Sequence, residues 1–263
     1  VELKITFVDA FTDKIFSGNP AAVCILENPL PDELMQTIAA EINLSETAFL
    51  YPKDSGYHLR WFTPVAEVKL CGHATLASAH ALWERGVVKS SKITFSSLSG
   101  ELTAEKKGEL IELNFPAEPL TEIIFPDGLT DALGASPIYM GKTDVRYFAE
   151  LKSAEDVRNL KPDFNKLLLF PPGRIIVTAK SDDPRYDFIS RYFAPGIGIP
   201  EDPVTGSAHC SLALYWSKKL NKNELMAYQA SKRGGEMKVI LDDDRVRLQG
   251  TAVTTMQGTM MLG

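Results

Sequence analysis

The sequence predicts an α+β fold of two pseudo-symmetric halves, each a curved, mostly antiparallel sheet or barrel wrapped around a central buried helix. Three observations lead there. The phrase RWFTP at 60–64 returns as RYFAP at 191–195, 131 residues later. Each copy is followed by a polar link and then a similar uncharged stretch, CGHATLASAHALW at 71–83 and TGSAHCSLALYW at 205–216. Most of the remaining chain consists of short segments that alternate apolar and polar residues with the period of a strand.

The repeat extends beyond five residues. Gly72 aligns with Gly206 and Ala74 with Ala208 at an offset of 134, and the three extra residues fit in the second link, PGIGIPEDPVT against PVAEVKLC. Two phrases repeated in register, with one small insertion between them, imply a structural duplication. No formally charged residue occurs from Gly72 to Trp83 or from Pro203 to Ser217. A helix apolar on every face is buried on every face, and about 12 residues is too short to span a membrane. Glu84-Arg85-Gly86 and Lys218-Lys219-Leu220-Asn221 supply the stop signals, with Gly or Asn near the end and cations in the last turn.

The wrapping is predicted as sheet. Segments 3–9, 22–26, 57–63, 92–97, 101–115, 174–180, 186–194, 236–250 and 251–256 read as strands. Segment 101–115 should be a hairpin turning at Lys107-Gly108, and VILDDDRVRL another turning on its aspartates. Residues 31–42 form a peripheral amphipathic helix with Leu34, Ile38 and Ile42 on one face. Residues 153–160, capped by Ser153, are its counterpart. Prolines cluster at 116–128 and mark the boundary. The first half is placed at 1–117, with the option that the C-terminal strand, about 252–263, returns to it; the second half is 118–251, with the active-site cleft between them.

Composition narrows the function classes. A net charge of −6 and no long basic run argue against nucleic acid. No apolar run reaches the ~18 residues of a membrane span, and VELKITFVDAF alternates like a strand rather than a signal peptide. Cys24, Cys71 and Cys210 cannot all pair, which suits a reducing, cytoplasmic compartment. There is no G-x-G-x-x-G after a strand, no Walker loop and no G-x-S-x-G elbow. A metal site from Cys71, His73 and His80 fits no established ligand spacing, so no metal or cofactor is expected.

A buried helix leaves its first backbone N–H groups without helical acceptors, and both helices begin with Gly-x-Ala, which admits a close neighbour. If the halves pack symmetrically, two positive dipole ends address one spot, suited to a small anionic metabolite. His73, Asp202, Thr205 and Ser207 surround those starts. Each has a plainer reading. Thr205 and Ser207 are ordinary N-cap types, Asp202 before Pro203 is a turn former, and His73 could be a satisfied buried histidine. His80 and His209 are assigned to packing and His58 to a strand surface.

FTDKIFSGNPAAV (11–23), NLSETAF (43–49), RWFTP…CGHAT (60–75) and DPVTGSAH (202–209) resemble the signatures of the PhzF family of phenazine-biosynthesis isomerases, along essentially the whole chain. The resemblance implies a diaminopimelate epimerase-like fold, a homodimer, and metal- and cofactor-free isomerisation of the trans-2,3-dihydro-3-hydroxyanthranilate type. It makes Glu46 the acid/base, completes the site with His73, Asp202 and Ser207, and lines it with Gly18, Asn19, Ser45, Gly72, Thr205 and Gly206. The chemistry asks for such a set. A carboxyl group shielded from water, with a raised pKa, can remove a proton from one carbon and return it to another. Helix N–H groups and Ser207 can meet the charge that develops, and His73 could exchange a proton near neutral pH.

Two other functions stay open. Related cofactor-free epimerases use one thiol from each half; Cys71 holds that place in the first half, but its repeat partner is Thr205. An epimerase or racemase of amino or hydroxy acids would therefore pair Cys71, a possible reactive thiol at a helix N-terminus, with Glu46. A non-catalytic metabolite-binding protein would keep the site without the proton transfer.

Overall fold

Alternation becomes strand where one face can be buried: in ELKI at the start of the chain, Leu3 and Ile5 are buried while Glu2 and Lys4 are exposed. The computed structural model describes residues 2–262. The elements run β1 (Glu2–Ala10), β2 (Asn19–Ile25), α1 (Asp32–Ile42), β3 (Glu46–Lys53), β4 (Gly56–Phe62), β5 (Glu67–Val68), α2 (Gly72–Glu84), β6 (Lys92–Ser97), β7 (Gly100–Lys107) and β8 (Leu110–Pro116). They continue as β9 (Thr121–Glu122), α3 (Leu129–Leu133), β10 (Tyr139–Lys142), β11 (Tyr147–Glu150), α4 (Ala154–Asn159), α5 (Phe164–Leu167), β12 (Ile175–Lys180), β13 (Phe188–Ala194) and β14 (Ile199–Asp202). The last are α6 (Gly206–Leu220), β15 (Glu224–Gln229), β16 (Gly235–Asp242), β17 (Arg245–Gly250) and β18 (Ala252–Met261). The chain divides into two units, one reaching to Phe115 and resuming at Arg247, the other running from Pro116 to Val246.

In the first unit β18 lies antiparallel to β1, and β1 to β2. β2 and β3 are parallel, β3 and β4 antiparallel, and β4 is parallel to β6. β6, β7 and β8 form an antiparallel meander. The sheet curls around α2, which packs against β1, β2, β3, β7 and β18. Every α2 residue from Gly72 to Ala79 is buried, as its lack of charge requires. α1 lies outside with Met35, Ile38 and Ala39 buried and Leu34 and Ile42 partly so. It ends at Asn43, whose left-handed φ of 55° closes the last turn.

The second unit repeats this order. β9, β10 and β11 are antiparallel neighbours, and β11 is parallel to β12. β13 is antiparallel to β12 and β14 and parallel to β15, which pairs with β16. α6 packs on β15 and β16. Its Trp216 is fully buried, stacks on Phe188 at 5.7 Å and donates its indole N–H to Thr178 Oγ1 at 3.0 Å, so no donor is stranded. The expected cap of α4 is present, with Ser153 Oγ accepting from the Asp156 N–H.

The repeated phrase has a structural meaning. Arg60 in β4 grips Glu67 of β5 through Nε and Nη2 at 2.7 and 2.8 Å. Arg191 in β13 grips Glu201 of β14 in the same way, at 2.7 and 2.9 Å. Each guanidinium lies over the Phe two residues on, 5.1 Å from Phe62 and 4.7 Å from Phe193. The intervening Trp61 and Tyr192 are buried. The phrase is thus a fork that fastens the short strand leading into each buried helix. Each arginine also reaches the outer helix of its unit: Arg60 Nη1 donates to Asp32 at 2.6 Å, and Arg191 Nη1 to the carbonyls of Val157, Arg158 and Leu160 at 3.2, 3.3 and 2.7 Å. Removing Arg191 strands several partly buried acceptors. Arg191→Ala is expected to cost about 2–3 kcal/mol, measured by denaturant unfolding, and a loss below ~1 kcal/mol would contradict this role.

Candidate functional site

In the first unit the chain between β1 and β2 takes left-handed backbone at Phe11, Phe16 and Gly18. Gly18 cannot be otherwise: a Cβ there would lie 2.2 Å from the Ala10 carbonyl oxygen and 2.6 Å from Thr12 Cγ2. The buried Asp9 accepts the Phe16 N–H at 2.7 Å. This bend delivers Asn19, fully buried, to the head of β2. The parallel pairing sets Ala21 opposite Glu46, so Ser45 and Glu46 arrive at the start of β3 beside it. From another direction α2 begins at Gly72, with Cys71 as its extended N-cap and no side-chain cap.

His73, only 4 % exposed, joins these elements. Its Nδ1 lies 3.1 Å from Asn19 Nδ2 and 3.4 Å from Cys71 Sγ. Its Nε2 lies 3.3 Å from Glu46 Oε2 and 3.5 Å from Ser45 Oγ. Ser45 Oγ also donates to Asn19 Oδ1 at 3.3 Å, which turns the amide so that its NH₂ faces the histidine. Nδ1 is therefore the acceptor and the ring proton sits on Nε2, whose hydrogen-bond partner is Ser45 Oγ at 3.5 Å, with Glu46 Oε2 beside it at 3.3 Å. Burial drives the His73 pKa down to about 3. The expectation of a histidine titrating near neutral pH is revised: His73 stays neutral and presents a fixed N–H.

Glu46, Cys71 and His73 can each bring one metal-ligating atom within 4.8 Å of the others. His80, which the sequence placed with the thiol and His73, is not among them; it meets Thr254 Oγ1 at 3.2 Å and Glu84 Oε1 at 3.6 Å. It is half-buried and polar-bonded rather than a packing residue. The thiol faces one ring nitrogen of His73 and the carboxylate the other.

In the second unit the expected N-caps do not cap. Thr205 occupies the N-cap of α6 without bonding a helix N–H; its hydroxyl donates instead to Asp202 Oδ2. Gln229, at the end of β15, locks the bend: its Oε1 accepts the Thr205 N–H at 2.8 Å and its Nε2 donates to the Asp202 carbonyl at 2.8 Å. Ser207, one residue into the helix from Gly206, accepts from Arg146 Nη1 at 3.1 Å. His209 is fully buried; its Nδ1 is 2.8 Å from the Thr205 carbonyl and its ring lies against Phe188. Burial lowers its pKa to about 4, against the opposing effect of that carbonyl. Cys24 and Cys210 are buried thiols pushed up to about 12, which removes them from thiolate chemistry.

Gln229 and Arg146 are absent from the sequence reading. Gln229 had a signal: it stands on the same side of β15 as buried Leu225 and Ala227, where an amide needs a partner. Arg146 had none, being one arginine in a polar turn. Among the described residues no helix is long and apolar enough to cross a membrane.

A family model described as phenazine biosynthesis-like protein matches residues 8–258. An uncharacterized isomerase of Halalkalibacterium halodurans is 54 % identical over 260 residues, covering 98 % of each chain. A crystal structure of a PhzF-family phenazine biosynthesis protein from Enterococcus faecalis superposes with a TM-score of 0.96 at 42 % identity, covering all of both chains. A hydroxyproline epimerase from Agrobacterium vitis shares the fold alone, with a TM-score of 0.62 at 12 % identity over 98 % of this chain and 92 % of that one.

Proposed function

Because the chain belongs to the phenazine biosynthesis-like PhzC/PhzF family, a family of isomerase-like proteins with the diaminopimelate epimerase-like fold, we propose that it is a cofactor-independent isomerase that moves a proton within a small carboxylated metabolite, with Glu46 as its single acid/base. The observation that carries this is the contact of Glu46 Oε2 with the Nε2 of a buried, neutral His73 at 3.3 Å. The carboxyl group thus stands beside an imidazole that does not neutralise it by a full charge. The side chain of Glu46 is 14 % exposed, open enough to meet a ligand and dry enough to favour proton transfer.

In the forward step the Glu46 carboxylate takes a proton from one substrate carbon, and the bonding pair left behind delocalises into the adjacent unsaturated system. The same carboxylic acid then returns the proton to a different carbon of that system, so no proton is gained or lost overall. The first N–H groups of α2, from Gly72 and His73, are donors suited to the delocalised charge. Asn19 and Ser45 hold His73, and Gly18 allows the backbone bend that places Asn19. Asp202 and Ser207 are proposed to complete the catalytic set, and Thr205 and Gly206 to bind substrate. The test uses trans-2,3-dihydro-3-hydroxyanthranilate as probe in D₂O: deuterium at one reacting carbon, read by mass spectrometry, is the expected result. Tight binding without exchange would instead indicate a binding protein.

One observation favours an epimerase: Cys71 Sγ lies 3.4 Å from His73 Nδ1 and within 4.8 Å of a Glu46 carboxylate oxygen. The two readings part at Cys71→Ser. A single-carboxylate isomerase keeps its exchange rate within about threefold, whereas a thiol–carboxylate pair loses about 10²-fold or more.

A further inference from the structure

We propose that Glu46, Cys71 and His73 form an inhibitory site for a thiophilic divalent cation of the zinc class, which binds in place of substrate and withdraws the acid/base. The inhibition rests on the preceding reading of Glu46; the binding does not.

The donors come from two elements. Cys71 and His73 stand at the start of α2, and Glu46 opens β3. Glu46 thus takes the place that sequence spacing gave to His80. One ligating atom of each residue lies within 4.8 Å of the other two. Ligands about 2.0–2.3 Å from a tetrahedral zinc ion are about 3.3–3.8 Å from one another. Glu46 Oε2 and His73 Nε2, 3.3 Å apart, already have that spacing. Cys71 Sγ is 3.4 Å from the other ring nitrogen and joins them by a side-chain movement of about 1–2 Å. Cys71 and His73 are buried, and the partly exposed Glu46 gives the ion a way in.

Thiolate, imidazole and carboxylate are all zinc ligands. The thiolate selects against magnesium and calcium, which take oxygen. Charge also closes: thiolate and carboxylate together cancel the ion, at a place where the α2 dipole alone opposes a cation.

The protons balance. The Cys71 thiol releases its proton to solvent as the metal–sulfur bond forms. The ring changes tautomer, losing the proton of Nε2 and gaining one at Nδ1. Asn19 then supplies the acceptor. Its amide, which presents Nδ2 to Nδ1 at 3.1 Å, turns over so that Oδ1 accepts and Nδ2 donates to Ser45 Oγ. A carbonyl oxygen behind a ligating histidine is a common outer partner in metal sites. The bound ion occupies the carboxylate that otherwise takes the substrate proton, so exchange stops.

The test adds Co²⁺, an absorbing substitute for Zn²⁺, to the metal-free chain under anaerobic conditions. One equivalent should give a near-ultraviolet thiolate-to-metal charge-transfer band, which Zn²⁺ abolishes by displacement and Mg²⁺ does not. Cys71→Ser should remove the band, with Cys71→Ala as the second variant should the first not fold. Glu46→Gln should weaken Zn²⁺ about 10²-fold, read by competition with a chromogenic chelator, and Asn19→Ala about tenfold. His80→Gln should leave the affinity unchanged. With trans-2,3-dihydro-3-hydroxyanthranilate in D₂O, one equivalent of Zn²⁺ should stop deuterium exchange and EDTA restore it. No charge-transfer band in the unaltered chain, or Zn²⁺ affinity unchanged in both Cys71→Ser and Glu46→Gln, would overturn the site. Full exchange by the zinc-saturated chain would overturn the inhibition. A metal-free chain that shows the cobalt band but no exchange would keep the metal site and remove the isomerase reading, so the two failures are separately visible.

Discussion

Glu46→Gln is expected to lower the rate of deuterium incorporation by about 10²–10⁴-fold, the range for losing a positioned general base, while the chain stays folded. The substitution keeps shape and polarity. A Gln amide can stand where the carboxylate lies 3.3 Å from His73 Nε2, and the ring keeps its contacts with Asn19 and Ser45, so little stability is at stake. Only the ability to take up and release a proton disappears. Ser45→Ala is the informative companion. It removes the hydroxyl that orients Asn19 at 3.3 Å, and so loosens the imidazole without touching the carboxyl group. A partial loss there, with total loss in Glu46→Gln, would separate holding from reacting. Exchange at the unaltered rate in Glu46→Gln would remove the carboxylate from the mechanism.

The legible parts of this protein are those in which one residue type answers to one physical demand. Of the two uncharged helices of small residues, α2 is buried from Gly72 to Ala79, whereas α6 leaves Ser207, Leu214 and Tyr215 partly exposed. The repeated RWFTP phrase announced two equivalent places, although its task as a fork onto Glu67 and Glu201 needed the coordinates. Short strands such as β5, β9 and β14, of two to four residues, carry too little pattern to read, because their pairing is decided by the neighbours they meet. The site divides the same way. Asn19, Ser45, Glu46 and His73 could be named from their motifs, yet nothing local says that an asparagine at 19 meets a histidine at 73. The parallel β2–β3 pairing and the left-handed bend at Gly18 accomplish that. Arg146 stays illegible for the same reason: its partner Ser207 is 61 residues away, and a lone arginine in a turn is ordinarily solvated.

Acidification should unfold the protein well before its carboxylates titrate. His73 and His209 are buried and held neutral, with folded pKa values of about 3 and about 4 against an ordinary 6.5. Because the folded values are depressed, the unfolded chain takes up protons first as pH falls. Stability is therefore highest above pH 6.5 and declines between 6.5 and the folded values. Each site contributes a slope of about 1.4 kcal/mol per pH unit, hence about 2 kcal/mol at pH 5 and about 4 kcal/mol for the pair. That is a large part of the 5–15 kcal/mol typical of a folded domain. His209 faces the Phe188 ring and a backbone carbonyl that partly opposes burial, and it is not one of the proposed acid–base residues, so it is the cleaner of the two to test. The surface aspartates bonded to arginine, Asp182 and Asp183, have lowered pKa values and act only below about pH 4. Urea unfolding at pH 7.5, 6.5, 5.5 and 5.0 isolates the histidine window. His209→Leu should remove close to one proton from the pH slope of that window, whatever it does to stability at pH 7.5. Unfolding curves with the same pH slope in the parent and the variant would show that burial does not hold this imidazole neutral.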